Sequence, residues 1–284
     1  MKPNRLTILG VGLLGGSIGL ATKKLINDCK IIGYGHRKET LDAALACGAI
    51  DQAFDQPQQA VKDADLVILC TPVGIFEGLL RSIAPDLSAG CLVTDVGSTK
   101  RSIVQIAANT LPPTVHFVAS HPMAGSEKRG VEFARADLFN GALCLITPTP
   151  STNPSALAGV ESFWRLLGMQ IRRMTPEEHD RRLAFISHLP HALAAALVNI
   201  EPADAMALAG KGFMDATRIA AGDAALWRDI LLDNRDNLLT ALSHLQGEIA
   251  DLKTILTHGD DQLLLDWLHR AAAKRHKITP PARD

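Results

Sequence analysis

Residues 6–22 read LTILGVGLLGGSIGLAT. A short apolar run rich in β-branched residues meets Gly10, Gly12 and Gly15, spaced G-x-G-x-x-G, and the glycines open a stretch with helical character. Strand, glycine turn and helix in that order are the context in which this spacing signals dinucleotide binding. Gly10 permits the tight turn, Gly12 lets backbone approach a pyrophosphate, and Gly15 lets the helix close onto the sheet. Leu13 and Leu14 then present their amides at a helix N-terminus, where a phosphate is favoured. Lys2 and Arg5 precede this uncharged stretch, so it also has the look of a leader peptide. Its five glycines argue against that reading, and it is shorter than the ~20 apolar residues that span a bilayer.

Outward from this point, apolar runs at 30–35, 66–70, 91–96, 115–120, 142–148 and 169–174 read as buried strands. Helical patterns at 37–47, 57–63, 99–109 and 155–168 lie among them. The alternation predicts an α/β unit, a Rossmann-type parallel sheet with helices on both faces. At Thr175 the character changes. Thr175, Pro176 and Glu178 form a helix-start signature, and strand signals stop. An all-helical domain is expected from there, with helices over 176–200, 203–219, 224–257 and 261–275. The division is therefore 1–175, dinucleotide binding, and 176–284, helical substrate and dimerisation domain. Leu238, Leu242, Leu245, Ile249, Leu252 and Leu256 repeat every three or four residues. Such a seam packs on another helix, within the chain or across a homodimer. The tail KRHKITPPARD reads as frayed.

Composition narrows the class. The 284 residues carry a net charge of -1, so there is no basic excess for nucleic acid. Five scattered cysteines without a C-x-x-C pair favour a reducing cytoplasm over a disulfide framework or zinc ribbon. No further run reads as a membrane helix. His188 and His191 have the spacing of a metal pair but lack a third ligand, so no metal is expected.

Several stretches carry chemistry. The second strand ends in Gly35, His36, Arg37 and Lys38 where an NAD enzyme usually has an acid. A 2′-phosphate suits that pattern, so NADP is expected as the preferred cofactor, with NAD the alternative. Thr94–Lys100 reads TDVGSTK and 120–127 reads SHPMAGSE, both at expected strand ends. Ser98 has two readings, helix N-cap or catalytic hydroxyl. His121 is a structural histidine or, on a loop just past a strand, a general base ionising not far from ~6.5. Pro190 in SHLPH is expected to kink its helix. Asp215 and Arg218 in GFMDATRIA form a surface ion pair, or Arg218 clamps a carboxylate.

These motifs, with LWRDI and the asparagine after it, resemble prephenate and arogenate dehydrogenases over nearly the whole chain. The resemblance implies oxidative decarboxylation of a cyclohexadienol acid, with hydride transfer to a nicotinamide cofactor. It implies His121 as the base that takes the C4 hydroxyl proton and Ser98 as the residue orienting it. It gives Arg218 to a substrate carboxylate, and His188, Glu127, Asp215 and Trp227 to the substrate pocket. Thr71 and Pro72 fall on the loop over the cofactor. About 60 residues follow the last motif, so an added regulatory domain is not expected. A β-hydroxyacid dehydrogenase shares the two-domain plan but uses a lysine early in its helical half, and 176–200 has none. A non-catalytic dinucleotide sensor would dispense with His121, Ser98 and Arg218.

Overall fold

The computed structural model describes residues 1–125 and 128–278. The first half runs β1 (Arg5–Leu9), α1 (Leu13–Leu25), β2 (Lys30–Tyr34), α2 (Lys38–Ala46), β3 (Gln52–Phe54), α3 (Pro57–Ala60), β4 (Leu66–Leu69) and α4 (Phe76–Ile83). It continues with β5 (Leu92–Asp95), α5 (Arg101–Thr110), β6 (His116–Phe117), β7 (Ser120–Pro122), β8 (Leu143–Ile146), α6 (Pro154–Leu166) and β9 (Gln170–Arg173). Six strands form a parallel sheet in the order β3-β2-β1-β4-β5-β6. Side chains alternate between its faces with period two. Leu6, Ile8, Leu66 and Ile68 enter one core with Phe163 and Trp164 of α6; Leu9, Val67 and Leu69 enter the other with Phe76 of α4 and Ile103 of α5. The strand order reverses between β1 and β4, and the carboxyl ends there form the crevice where such sheets bind ligands.

The expected single sheet is corrected in one respect. The apolar run 115–120 divides. β6 ends the large sheet, and β7 starts a second one, in the order β7-β8-β9. β7 pairs antiparallel with β8, and β8 parallel with β9. Periodicity marks a buried strand but not the sheet it joins. The short elements β3 and α4 also carried too weak a pattern to be read.

The helical half comprises α7 (Pro176–Leu183), a π-helical turn (Ala184–His188), α8 (Leu189–Ile200), α9 (Ala203–Met206), α10 (Lys211–Thr217), α11 (Ala224–Asp233), α12 (Arg235–His258) and α13 (Asp261–His276). Thr175 caps α7, its hydroxyl accepting from the Glu178 amide at 3.1 Å. The expected kink at Pro190 takes the form of the π turn, in which the Leu189 amide reaches back five residues to the Ala184 carbonyl. The expected helix 203–219 is interrupted after α9 and ends in a 3₁₀ turn at Arg218–Ala221. The expected helix 224–257 breaks at Asn234, whose side chain is drawn inward. One reading needs correction: Pro176–Ile200 is a continuous stretch long and apolar enough to cross a membrane by composition, with 28% of its most apolar window buried in the chain. Its first part is bound to the other domain through buried polar residues. The tail beyond residue 278 lies outside the described residues, and α13 carries helix to His276.

Candidate active site

The glycine turn has the shape its spacing implies. Gly10 has φ +107°, and a side chain there would strike the Cys70 carbonyl at 2.8 Å. A Cβ on Gly15 would lie 2.1 Å from the Gly10 carbonyl oxygen. At Gly12, by contrast, a Cβ would meet nothing within 4 Å. Only the middle glycine faces open space, and it sits at the N-terminus of α1, beside the amides of Leu13 and Leu14. That is a cradle for an anionic pyrophosphate. Thr71 and Pro72 follow β4 across the crevice, and the buried Thr71 hydroxyl has no hydrogen-bond partner. The residues present therefore fit a dinucleotide. Gly35 follows β2, His36 and Arg37 are exposed, and Lys38 is paired with Asp42 at 2.6 Å.

His121 lies on the short edge strand β7, opposite Leu145, and not on a loop as expected. Pro122 is tolerated there because an edge strand has no ladder on one side. β7 is anchored to the end of β5: Asp95 accepts the Ser120 amide at 3.0 Å, and the Ser120 hydroxyl donates to the Asp95 carbonyl at 2.6 Å. Trp164 Nε1 donates to the same hydroxyl at 3.0 Å. The Asp95 carboxylate also takes the Gly97 amide and a buried ion pair from Lys100. These bonds shape the loop that carries Ser98.

Ser98 is not the cap of α5. The Lys100 and Arg101 amides at that helix start donate instead to Asp180 of α7, at 2.8 and 2.9 Å. The same carboxylate accepts from His179 Nδ1 at 2.7 Å, and His179 Nε2 lies 2.9 Å from His121 Nδ1. An ionised carboxylate can only accept. The proton between Asp180 and His179 therefore sits on His179 Nδ1, which leaves neutral His179 with a bare Nε2. His121 must then carry its proton on Nδ1, and its Nε2 is left as a base. Burial holds the His121 imidazolium well below the ordinary histidine value, and the nearby His179, Lys100 and His188 act the same way. Burial raises Asp180, but the bonds from His179 and the two amides outweigh it and keep it ionised. The expected ionisation of His121 near 6.5 is corrected downward for these reasons.

The helical domain supplies the facing wall. His188 is fully buried at the end of the π turn, and its ring meets Trp227 edge-on at 6.3 Å. His191 stacks on Trp227 with ring centroids 3.4 Å apart. Burial lowers both histidines to about 4. Arg218 is a cationic neighbour of His191, which brings α8, α11 and the 3₁₀ turn together. Among the described residues no ion pair joins Asp215, which is exposed, to Arg218, so the surface-pair reading is not realised. Arg129 pairs with Asp223, tying the loop after β7 to the start of α11. Glu127 lies outside the described residues. Lys100, His179, Asp180 and Asn234 were not read as site residues. A buried lysine in TDVGSTK and the pair His179-Asp180 inside a helix-start signature were the available signals.

The match to known families follows this geometry. Residues 18–173 match the model described as prephenate dehydrogenase, nucleotide-binding domain, and residues 175–270 match prephenate dehydrogenase, dimerization domain. The chain belongs to the prephenate dehydrogenase family. It is 39% identical over 272 residues to a prephenate dehydrogenase of Bacillus subtilis, covering 93% of this chain and 73% of that one. The structure of Aquifex aeolicus prephenate dehydrogenase in complex with hydroxyphenyl propionate and NAD+ superposes with a TM-score of 0.91 at 33% identity, covering 97% of this chain and 98% of that one. A Synechocystis arogenate dehydrogenase superposes with a TM-score of 0.82 at 29% identity, covering 97% and 100%. Six-stranded parallel sheet and helical C-terminal half are thus the architecture of the prephenate dehydrogenase family, and a nicotinamide cofactor belongs with its nucleotide-binding domain.

Proposed function

We propose that the protein is a prephenate or arogenate dehydrogenase that oxidatively decarboxylates a cyclohexadienol acid in the cytoplasm. The observation that carries this is the chain His121–His179–Asp180, which leaves one bare imidazole nitrogen beside the nucleotide crevice. The nicotinamide cofactor supplies the hydride acceptor. The chain's own residues do the rest. His121 Nε2 takes the C4 hydroxyl proton of the substrate. As it gains charge, its Nδ1–H is held by His179, and Asp180 steadies the pair. Ser98, on the loop set by Asp95 and Lys100, places the hydroxyl. Arg218 holds a substrate carboxylate, and His188 and Trp227 wall the ring; Glu127 and Asp215 complete the pocket by resemblance. Loss of the ring carboxylate as CO2 and aromatisation drive the reaction forward.

The unit 1–175 binds the dinucleotide through Gly10, Gly12, Leu13, Leu14, Gly15, Thr71 and Pro72, and the unit 176–284 supplies substrate contacts and a homodimer interface. NADP is the preferred cofactor, through Arg37 and His36 beside Gly35, although the Aquifex relative's structure contains NAD+. The test is a rate matrix: prephenate and arogenate against NAD and NADP, following reduced cofactor and CO2 together. Equimolar formation of the two with at least one substrate is expected. Absence of both products with both substrates overturns the reading.

A further inference from the structure

Asn234 sits where the sequence pattern runs on as one helix and the structure does not. It is fully buried between α11 and α12. Its Nδ2 donates to the Asp180 carbonyl at 2.7 Å, and that carbonyl can only accept. Its Oδ1 accepts from Asn237 Nδ2 at 2.9 Å and lies 3.3 Å from Arg101 Nη2. Both ends of the amide are therefore assigned by their partners, which removes the usual ambiguity of an asparagine. The same Nδ2 lies 3.1 Å from His188 Nδ1. A donor facing Nδ1 requires that nitrogen to be the acceptor, so the His188 proton resides on Nε2. Among the described residues that buried Nε2 makes no hydrogen bond of normal geometry. The Ser98 backbone carbonyl lies close enough to the His188 ring to favour its protonated form, and His121 and Trp227 are its other neighbours. A buried N–H with no well-formed hydrogen bond is costly unless a better acceptor arrives to meet it.

We propose that Asn234 is a positioning residue that fixes His188 as the Nε2–H tautomer, aimed to donate a hydrogen bond to an oxygen of the bound ring acid. His121 and His188 are thereby set as opposites, the first with a bare Nε2 and the second with a protonated one. The break between α11 and α12 exists to bring the Asn234 amide to this place. It also links the two tautomers, because Asn234 holds the backbone of Asp180, whose carboxylate sets His179 and through it His121. This rests on the proposed dehydrogenase function for the identity of the acceptor, but not for the tautomer.

The experiment has two arms. Nitrogen-15 NMR of histidine-labelled, ligand-free protein reads the His188 tautomer, which is assigned by loss of its signals in His188→Gln. Wild type is expected to show one neutral form with Nε2 protonated; an Nδ1–H form overturns the proposal. In Asn234→Ala, mixed or reversed tautomers are expected, with KM for prephenate or arogenate raised roughly tenfold or more and cofactor affinity unchanged. Unchanged tautomer and KM in a folded Asn234→Ala protein overturn it as well. If that variant does not fold, the pair His188→Gln and His188→Asn decides: glutamine can place its amide N–H near the Nε2 position and is expected to retain more substrate affinity than asparagine. Equal loss in both overturns the donor role. Wild type with the expected tautomer but no dehydrogenase activity refutes the functional reading alone.

Discussion

His121 Nδ1 and His179 Nε2 face each other at 2.9 Å, one from the edge of a small sheet in the first half, the other from the first helix of the second. Only one proton lies between two neutral rings, and Asp180 decides which ring holds it. Asp180→Asn keeps an acceptor for the α5 amides but can offer a donor to His179 Nδ1. His179 would then turn its proton to Nε2 and face His121 with a donor. Turnover is expected to fall ~10²–10⁴-fold, comparable to His121→Asn, with cofactor binding retained in both. Steady-state kinetics with a cofactor titration checks this; turnover within a few-fold of wild type in either variant refutes the chain.

The pH dependence follows from the same burial. His121 acts when neutral, and its imidazolium is disfavoured well below the usual range. Activity is therefore expected to hold at pH 6.5 and to decline only below it. Stability has its own acid limb. An unfolded histidine ionises near ~6.5, whereas folded His188 does so at about 4. Below ~6.5 the unfolded chain takes up protons that the fold refuses, so the contribution of His188 falls as pH drops toward 4 and stays lost below. The loss from His188 alone is on the order of 3 kcal/mol. Urea unfolding at a series of pH values reads it, and a flat profile from 7 to 4 contradicts buried neutral His188.

The sequence exposed some of this and hid the rest for physical reasons. The glycine spacing marked the turn before α1 because Gly10 and Gly15 answer local steric demands while Gly12 leaves open space. His121 and Ser98 stood out because their motifs fall at strand ends. His179 and Asp180 did not, and Asn234 was noted only as part of a motif, since their roles arise only when α7 packs against the start of α5 and when α11 ends early. Those are contacts of residues 54 to 80 positions apart, and no local pattern encodes them. The split of 115–120 between two sheets belongs to the same class.

Arg218 is a cationic neighbour of His191, which stacks on Trp227, and lies on the turn after α10. Arg218→Ala is expected to raise KM roughly 10- to 100-fold, the worth of a charge-assisted hydrogen bond, while cofactor affinity is unchanged. Loss of cofactor and substrate binding together, with a lowered melting temperature, would mark Arg218 as structural.

The helical half leaves apolar surface uncovered in a consistent way. Along α12 the seam starts buried at Leu238 and ends exposed at Ile249 and Leu256. No residue of α13 is buried, although Leu263, Leu265 and Leu268 lie on it. The proposed homodimer would cover such a surface with a matching face on a second copy, in keeping with the match of 175–270 to a dimerization domain. Sedimentation at micromolar protein is expected to give twice 30.4 kDa. Leu256→Glu with Leu268→Glu should shift it toward monomer; a wild-type monomer with full activity counts against the dimer.

Cofactor choice turns on the end of β2. An acid there would accept hydrogen bonds from both ribose hydroxyls of NAD and repel a 2′-phosphate. Gly35 does neither. Lys38 pairs with Asp42 on the surface, and Arg37 and His36 are exposed beside Gly35. Arg37 precedes α2 with extended backbone and an exposed side chain, and its planar fork suits two phosphate oxygens. A contact of this kind is worth ~1.5–3 kcal/mol, a preference for NADP of roughly 10- to 100-fold. Arg37→Ala should remove most of it and leave NAD unaffected. The reverse change asks little of the surroundings: a Cβ at Gly35 would meet the Leu41 side chain at 3.3 Å, which must give by a few tenths of an ångström, and Val11 at 3.9 Å. Gly35→Asp is therefore expected to fold and to favour NAD, by repelling the 2′-phosphate and binding the ribose. Dissociation constants for both cofactors across the three proteins check this. Equal affinity in the wild type, or an NADP constant indifferent to Arg37, would assign the 2′ position to other residues.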